Sequence, residues 1–327
     1  MRRLKTNLPA LYKRIWVGSV KEVSEMKKWC LFLGVYACMC LLAACTSGGG
    51  ETPAEEAPPE ETPESTVVCR VISVTDSGTL ILAEQGKDTG LYTLSLENQA
   101  ITLDGGAFDP AEPGAYQALP GGSLAGTTVE VTFDGGIQES WPMGFDRVTA
   151  LDFSTEDFDN LGDLYLRVLE DLWNVDSALN EPIAELALDL SATRLTGSER
   201  EAVAYAFGAA HGLLAMEATF QELVAQGYIS ASPLLASGSD EEIREPEHYF
   251  YEWKDGCLFS ITESDEPVAF SMPSQAPGRE TTDYEGIRFD AQKWRTSLAA
   301  YIFYNCTAAR AAGGAWSDYT VEAEMVA

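Results

Sequence analysis

Two histidines, His211 and His248, are the only imidazoles in a chain of 327 residues, so proton transfer near neutral pH has few places to start. His211 precedes Gly212 at the end of a helical pattern, where an imidazole covers terminal carbonyls, and His248 follows the acidic run Ser237 to Glu247. No GxSxG, SxxK or HExxH occurs, and no cysteine has a plausible base, so the common hydrolase signatures fail. Asp157, Asp159, Asn160 and Asp163 bunch closely enough to invite calcium. An EF-hand loop, however, needs oxygen ligands at its fifth and twelfth positions, where this chain has Leu161 and Val168. The cluster reads instead as the acidic start of a helix. Aromatic residues are better candidates for binding. Tyr165, Trp173, Tyr205, Trp253, Trp294 and Tyr301 belong to helices and strands that can line an apolar pocket between sheet and helix, although the same residues could equally fill a core. Lys293 and Arg295 flank Trp294 and share the strand face opposite its indole, where ion pairs with carboxylates are expected. The sequence therefore predicts no catalytic residue, no metal and no cofactor.

Seven cysteines fall into two groups. Cys30, Cys38, Cys40 and Cys45 lie in or directly after the run Trp29 to Ala44, which follows Lys27 and Lys28. The stretch Leu42-Ala43-Ala44-Cys45, followed by Thr46-Ser47-Gly48, resembles the lipobox of bacterial lipoproteins. The resemblance implies that residues 1–45 are a signal peptide ending in a lipobox, that Cys45 is the lipidation site, and that the lipidated cysteine becomes the N-terminus. The apolar run is 16 residues long, short of the ~20 needed to span a bilayer. Met1 to Glu25 adds six basic residues ahead of a signal that can begin at Met26, so the start is expected to be over-extended. Two or more acyl chains hold a protein stably on a membrane, which places this one on the extracytoplasmic face of the cell membrane. Of the chain's 21 Lys+Arg and 51 Asp+Glu, cleavage before Cys45 leaves 13 and 49, a net charge near −36. Such a charge excludes nucleic acid, whose phosphates are bound by Lys and Arg, and excludes docking on anionic lipid through a basic patch. Cys69, Cys257 and Cys306 remain in the exported part. Cys257 and Cys306 sit in strand-like runs and are the expected disulfide pair, with three buried thiols as the alternative.

The positioning elements follow from periodicity. Residues 46–66, TSGGGETPAEEAPPEETPEST, have no aliphatic or aromatic side chain large enough to build a core and read as a disordered acidic Pro/Glu tether. From 67 to 152, short alternating runs separated by Gly and Asp predict five or six strands, with Asp134-Gly135-Gly136 as a hairpin turn. Closing such a sheet removes its edges, so an OB-like small barrel is expected. From 158 to 327 the pattern changes. Leu161 to Trp173 recur at three and four as in a helix, and Glu185 to Leu190 alternate as in a strand. Thr196 with Glu199, and Thr219 with Glu222, have the spacing of capping boxes. Lys254-Asp255-Gly256 predicts a second hairpin between Tyr249–Trp253 and Cys257–Ile261, and a long run from Ile287 to Thr307 is expected to meet Trp316 to Val326. The fold class is thus α+β: an all-β OB-like barrel, then an α+β cone with helices packed on a curved antiparallel sheet.

Two stretches carry a further resemblance. Val129 to Pro142 resembles small β-barrel modules of uncharacterised Gram-positive, clostridial lipoproteins. Leu195 to Phe207, Gly256 to Ile261, Phe289 to Arg295 and Asn305 to Ala308 resemble a domain of similar lipoproteins whose order of elements is compatible with the cystatin-like cone of the nuclear-transport-factor family. The resemblance implies no activity. The expected role is a membrane-anchored, non-enzymatic binding or adaptor module for a cell-surface ligand or protein; alternatives are a cell-envelope hydrolase with a carboxylate-based site and a purely structural envelope protein.

Overall fold

The computed structural model describes residues 64–233, 249–264, 268–272, 282–310, 314–316 and 318–326. The expected signal peptide, Cys45, nearly all of the tether and His248 lie outside the described residues. No described helix is long and apolar enough to cross a membrane. The described residues form one compact unit.

The first sheet contains β1 (Ser65–Val74), β2 (Thr79–Glu84), β3 (Leu91–Ser95), β4 (Ile101–Leu103), β5 (Gly106–Ala107), β6 (Thr128–Gln138) and β7 (Gly144–Ser154), in the order β3-β2-β1-β6-β7-β4-β5. Its first three strands carry buried residues on both faces. Val71, Leu80, Leu82 and Tyr92 point into the sheet's own core with Val129, Val131 and Leu151. Ile72, Ile81, Ala83 and Leu91 point the other way, into a core shared with the helices that follow.

The ladder is open, with β3 and β5 as its edges, instead of closing as the expected barrel. β3 meets the chain just ahead of β7 only through one parallel bridge between Tyr92 and Met143, because β3 is five residues long and offers little length to pair. The Asp134-Gly135-Gly136 segment is not a turn. It lies within β6, where Asp134 pairs with Arg147 and Ile137 with Phe145, so the surplus residues form a bulge. Gly135 has φ +86 there, and a Cβ on it would stand 3.0 Å from an Asp146 carboxylate oxygen. The real turn falls after Gln138 and before Gly144.

The second part begins with α1 (Leu161–Asn174) and β8 (Glu185–Ala192), then α2 (Gly197–Ala210), β9 (Ala215–Glu217), α3 (Phe220–Gln226) and β10 (Ser230–Pro233). It continues with β11 (Tyr249–Glu252), β12 (Gly256–Glu263), β13 (Val268–Met272), β14 (Thr282–Thr296), β15 (Ala299–Arg310) and β16 (Ala323–Val326). Both capping boxes form. Thr196 accepts from the Glu199 amide and Thr219 from the Glu222 amide, while each glutamate returns a bond to its cap residue. α1 buries Leu164, Tyr165, Val168, Leu169 and Leu172 against β8, β12 and β14.

This sheet is mixed, not antiparallel throughout. β8 runs parallel to β12 and β9 parallel to β8; α2 is the crossover that returns the chain from β8 to β9 in the same direction. β11 and β12 do not form the expected hairpin: β14 lies between them, pairing with both. Their connection wraps instead around the buried Trp253, whose ring would be 2.0 Å from a Cβ at Gly256. The run Ile287 to Thr307 likewise splits into β14 and β15, which pair with each other, and β16 then adds to β15.

Cys257 and Cys306 are buried thiols, not a disulfide, as is Cys69. β14 separates their strands. Leu258 opposes Trp294, which puts Cys257 at the level of Arg295, whereas Cys306 opposes Phe289, so the two cysteines are offset by two strand spacings of about 4.8 Å and roughly six residues of rise. A disulfide needs Cα atoms within about 7 Å.

Candidate functional site

Helix α1 has a second stripe, opposite its buried one. Asp163, Leu166, Arg167, Glu170 and Asp171 follow one another at three and four, which aligns them along one side of the helix. Facing them are Ser73 and Val74 at the end of β1, Asp76 in the turn beyond, Ala206 and Ala210 of α2, and Tyr319 and Val321 from the segment leading to β16. Together with Asp318 they bound an open cleft of about 940 Å³.

The lining of this cleft is apolar at Val74, Leu166, Ala206, Ala210 and Val321 and charged at five carboxylates and one guanidinium. Arg167 lies between two of the acids: its Nε is 3.5 Å from Asp163 Oδ2, and its Nη1 donates to Asp318. The Tyr319 hydroxyl donates to Asp171 Oδ2 at 2.6 Å. Glu170 Oε1 is 3.0 Å from His211 Nε2, and the His211 ring stacks on Trp173 with centroids 3.7 Å apart. Burial raises the Asp163 carboxyl above its ordinary value, and Arg167 opposes that shift. Burial, followed by the bond to Asp171, raises the Tyr319 phenol. Four of the five carboxylates are thus engaged within the chain, Asp163 and Asp318 by the shared Arg167 guanidinium, Asp171 by Tyr319 and Glu170 by His211.

Sequence reasoning missed this cleft, though its signal was present: the outer stripe of α1 is charged at helical spacing. The aromatic set points elsewhere. Tyr165 is fully buried and donates to Glu263 Oε1 at 2.7 Å. Trp173 stacks between His211 and Phe259, Tyr205 meets Trp141 edge to face, and Tyr301 donates to Glu324. Trp253 and Trp294 lie on the other face of the sheet, packed with Leu223 and Phe220 of α3. The six therefore border no common cavity; they fill or flank two separate cores. They divide this way because alternate residues of a strand face opposite sides.

His211 ends α2, but its ring reaches Glu170 across to α1 and does not cover α2's carbonyls. In the acidic cluster ahead of α1, Asp159 accepts from the Leu161 amide at 3.0 Å and from the Trp316 indole at 2.9 Å, and Asn160 accepts from the Trp316 amide. Among the described residues no three of His, Cys, Asp and Glu converge as a metal site. Lys293 and Arg295 do share the strand face opposite Trp294, but they find carbonyl oxygens in place of carboxylates. Lys293, fully buried, donates to Asp176 O at 3.0 Å, to Asn180 Oδ1 at 2.7 Å and to Val175 O. Arg295 donates to Lys254 O at 2.8 Å and Pro182 O at 3.3 Å. Burial lowers the Lys293 ammonium below its ordinary value.

Comparison with known proteins finds no family model that matches the chain, and no curated protein or solved structure matches it either.

Proposed function

We propose that this chain is a lipoprotein anchored through Cys45 to the extracytoplasmic face of the cell membrane, held off the bilayer by the 46–66 tether, and that its folded part is a non-enzymatic binding or adaptor module. The cleft over α1 carries this reading. It combines apolar side chains with polar groups around one space, the usual make-up of a binding site. Its acids are engaged by Tyr319, His211 and Arg167, an arrangement that favours recognition over turnover. We propose further that the first sheet is an OB-like barrel left ajar between β3 and β7, a view supported by the strand order and by the parallel Tyr92–Met143 bridge, and that the second part is a cystatin-like cone.

Two measurements test the role. The mass of the membrane-extracted protein should correspond to a chain beginning at a diacylated Cys45; an unmodified thiol there removes the anchor from the reading. Thermal-shift screening against wall fragments, peptides and ions should find a stabilising ligand, worth about 2.7 kcal/mol at a hundredfold excess over Kd. Its effect should vanish in Ala210→Trp, which fills the cleft from an exposed helix position. A flat response across the panel leaves a purely structural protein.

A further inference from the structure

We infer that the occupant of the α1 cleft is a basic, amphipathic peptide segment of another protein. The inference rests on the binding role proposed above and names the partner for that same cleft. Two features of the groove fix the chemistry. Along its length, from Asp163 to Asp171, α1 offers about 12 Å, room for roughly two turns of a helix or a few extended residues. Ala206 and Ala210, one turn apart on α2, are small and leave the groove open, and Val74, Leu166 and Val321 add to its apolar lining. A bare metal ion or a soluble polyamine would leave that apolar lining unused; a segment with an apolar face covers it, as in helix-in-groove recognition.

Charge completes the match. The lining has five carboxylates against the single cation Arg167, on a chain of net charge −30. Acidic peptides, nucleic acid and anionic lipid are repelled from it, whereas Lys or Arg side chains flanking the apolar face meet Asp76 on one wall and Asp171 on the other. Tyr319 already donates to Asp171 and Arg167 already draws in Asp318, so the acids are oriented before a partner arrives. A second copy of this chain is a poor occupant because its own charge opposes the approach.

The test uses the full chain and a fluorescein-labelled amphipathic peptide of leucine and lysine, with a leucine and glutamate peptide of equal length as control. The expected result is saturable 1:1 binding of the lysine peptide only. It should be lost in Ala210→Trp and weakened up to about fivefold by Asp76→Asn, a substitution in an exposed turn that leaves the fold intact. High salt should weaken binding as well, without abolishing the part due to apolar contact. Equal binding to wild type and to both variants would reveal diffuse charge attraction and overturn the inference. If the lysine peptide fails to bind while a wall fragment or calcium stabilises wild type and not Ala210→Trp, the partner class is wrong and the binding role stands. If nothing stabilises the wild type, both fall.

Discussion

Replacing Lys293 with Met tests the energetics of the second sheet most directly. Lys293 continues the core face of β14 set by Phe289 and Ala291, and its ammonium reaches the loop that follows α1. Its acceptors are Val175 O, Asp176 O and Asn180 Oδ1, with Trp173 O at a longer 3.4 Å. Asp176 O keeps a second donor, the Leu179 amide, so removing the ammonium orphans chiefly Val175 O and Asn180 Oδ1. A buried acceptor left without a donor costs about 1–3 kcal/mol, giving about 2–6 for the pair. Methionine returns part of this because no charge need be desolvated. The net expectation is a loss of about 2–4 kcal/mol, a fall in Tm on the order of 10 °C for a folded part of this size. The pH dependence has a definite sign. Burial places the folded-state value of Lys293 below its ordinary 10.5, so between those two values the unfolded chain binds more protons and the residue's contribution to stability rises with pH. Urea unfolding followed by tryptophan fluorescence at pH 7 and pH 10 should therefore show a gap between wild type and Lys293→Met that widens at the higher pH. A variant within about 0.5 kcal/mol of wild type, or a gap that narrows as pH rises, would refute the reasoning.

Three other expectations follow from the packing. Glu201 of α2 accepts from the Gly90 amide at 3.2 Å and from the Trp141 indole at 2.9 Å, so Glu201→Ala should cost about 0.5–1.5 kcal/mol and shift Trp141 emission to the red; an unchanged spectrum would show that the indole is held otherwise. A fragment of residues 64–156 should bind a hydrophobic dye and unfold without cooperativity, since Ile72, Ile81, Ala83 and Leu91 lose the helices that cover them; a sharp, dye-free transition would contradict this. Burial raises the thiols of Cys257 and Cys306 to about 12 and that of Cys69 further, so a thiol reagent at pH 8 should modify all three only after denaturation, and rapid labelling of the native protein would count against the structure.

What could be read from the chain was local. The capping boxes at Thr196 and Thr219, the helix ending near His211 and the alternation of Glu185 to Leu190 each depend on groups within a few residues of one another, and each forms as its sequence indicates. β1 and β2 were legible as strands, but the covering of both their faces was not. Pairing lay beyond reach, because a strand's neighbours are chosen by distant segments. Lys254-Asp255-Gly256 has the composition of a hairpin turn, yet β14 takes the place between β11 and β12. Asp134-Gly135-Gly136 supplies the positive φ of a turn and serves as a bulge, because Asp146 on β7 meets the Gly136 amide. The parallel placement of β8 beside β12 needs contacts more than sixty residues apart.

The candidate site divides in the same way. Sequence alone determined that the chain is acidic, that two imidazoles are all it has, and that one side of α1 is charged. Only tertiary structure decided that this side faces β1, α2 and residues 318–321 across an open cleft while the aromatic residues are spent on two cores. Helical spacing specifies which residues share a face; which surface that face meets is settled by long-range burial, which no local pattern records.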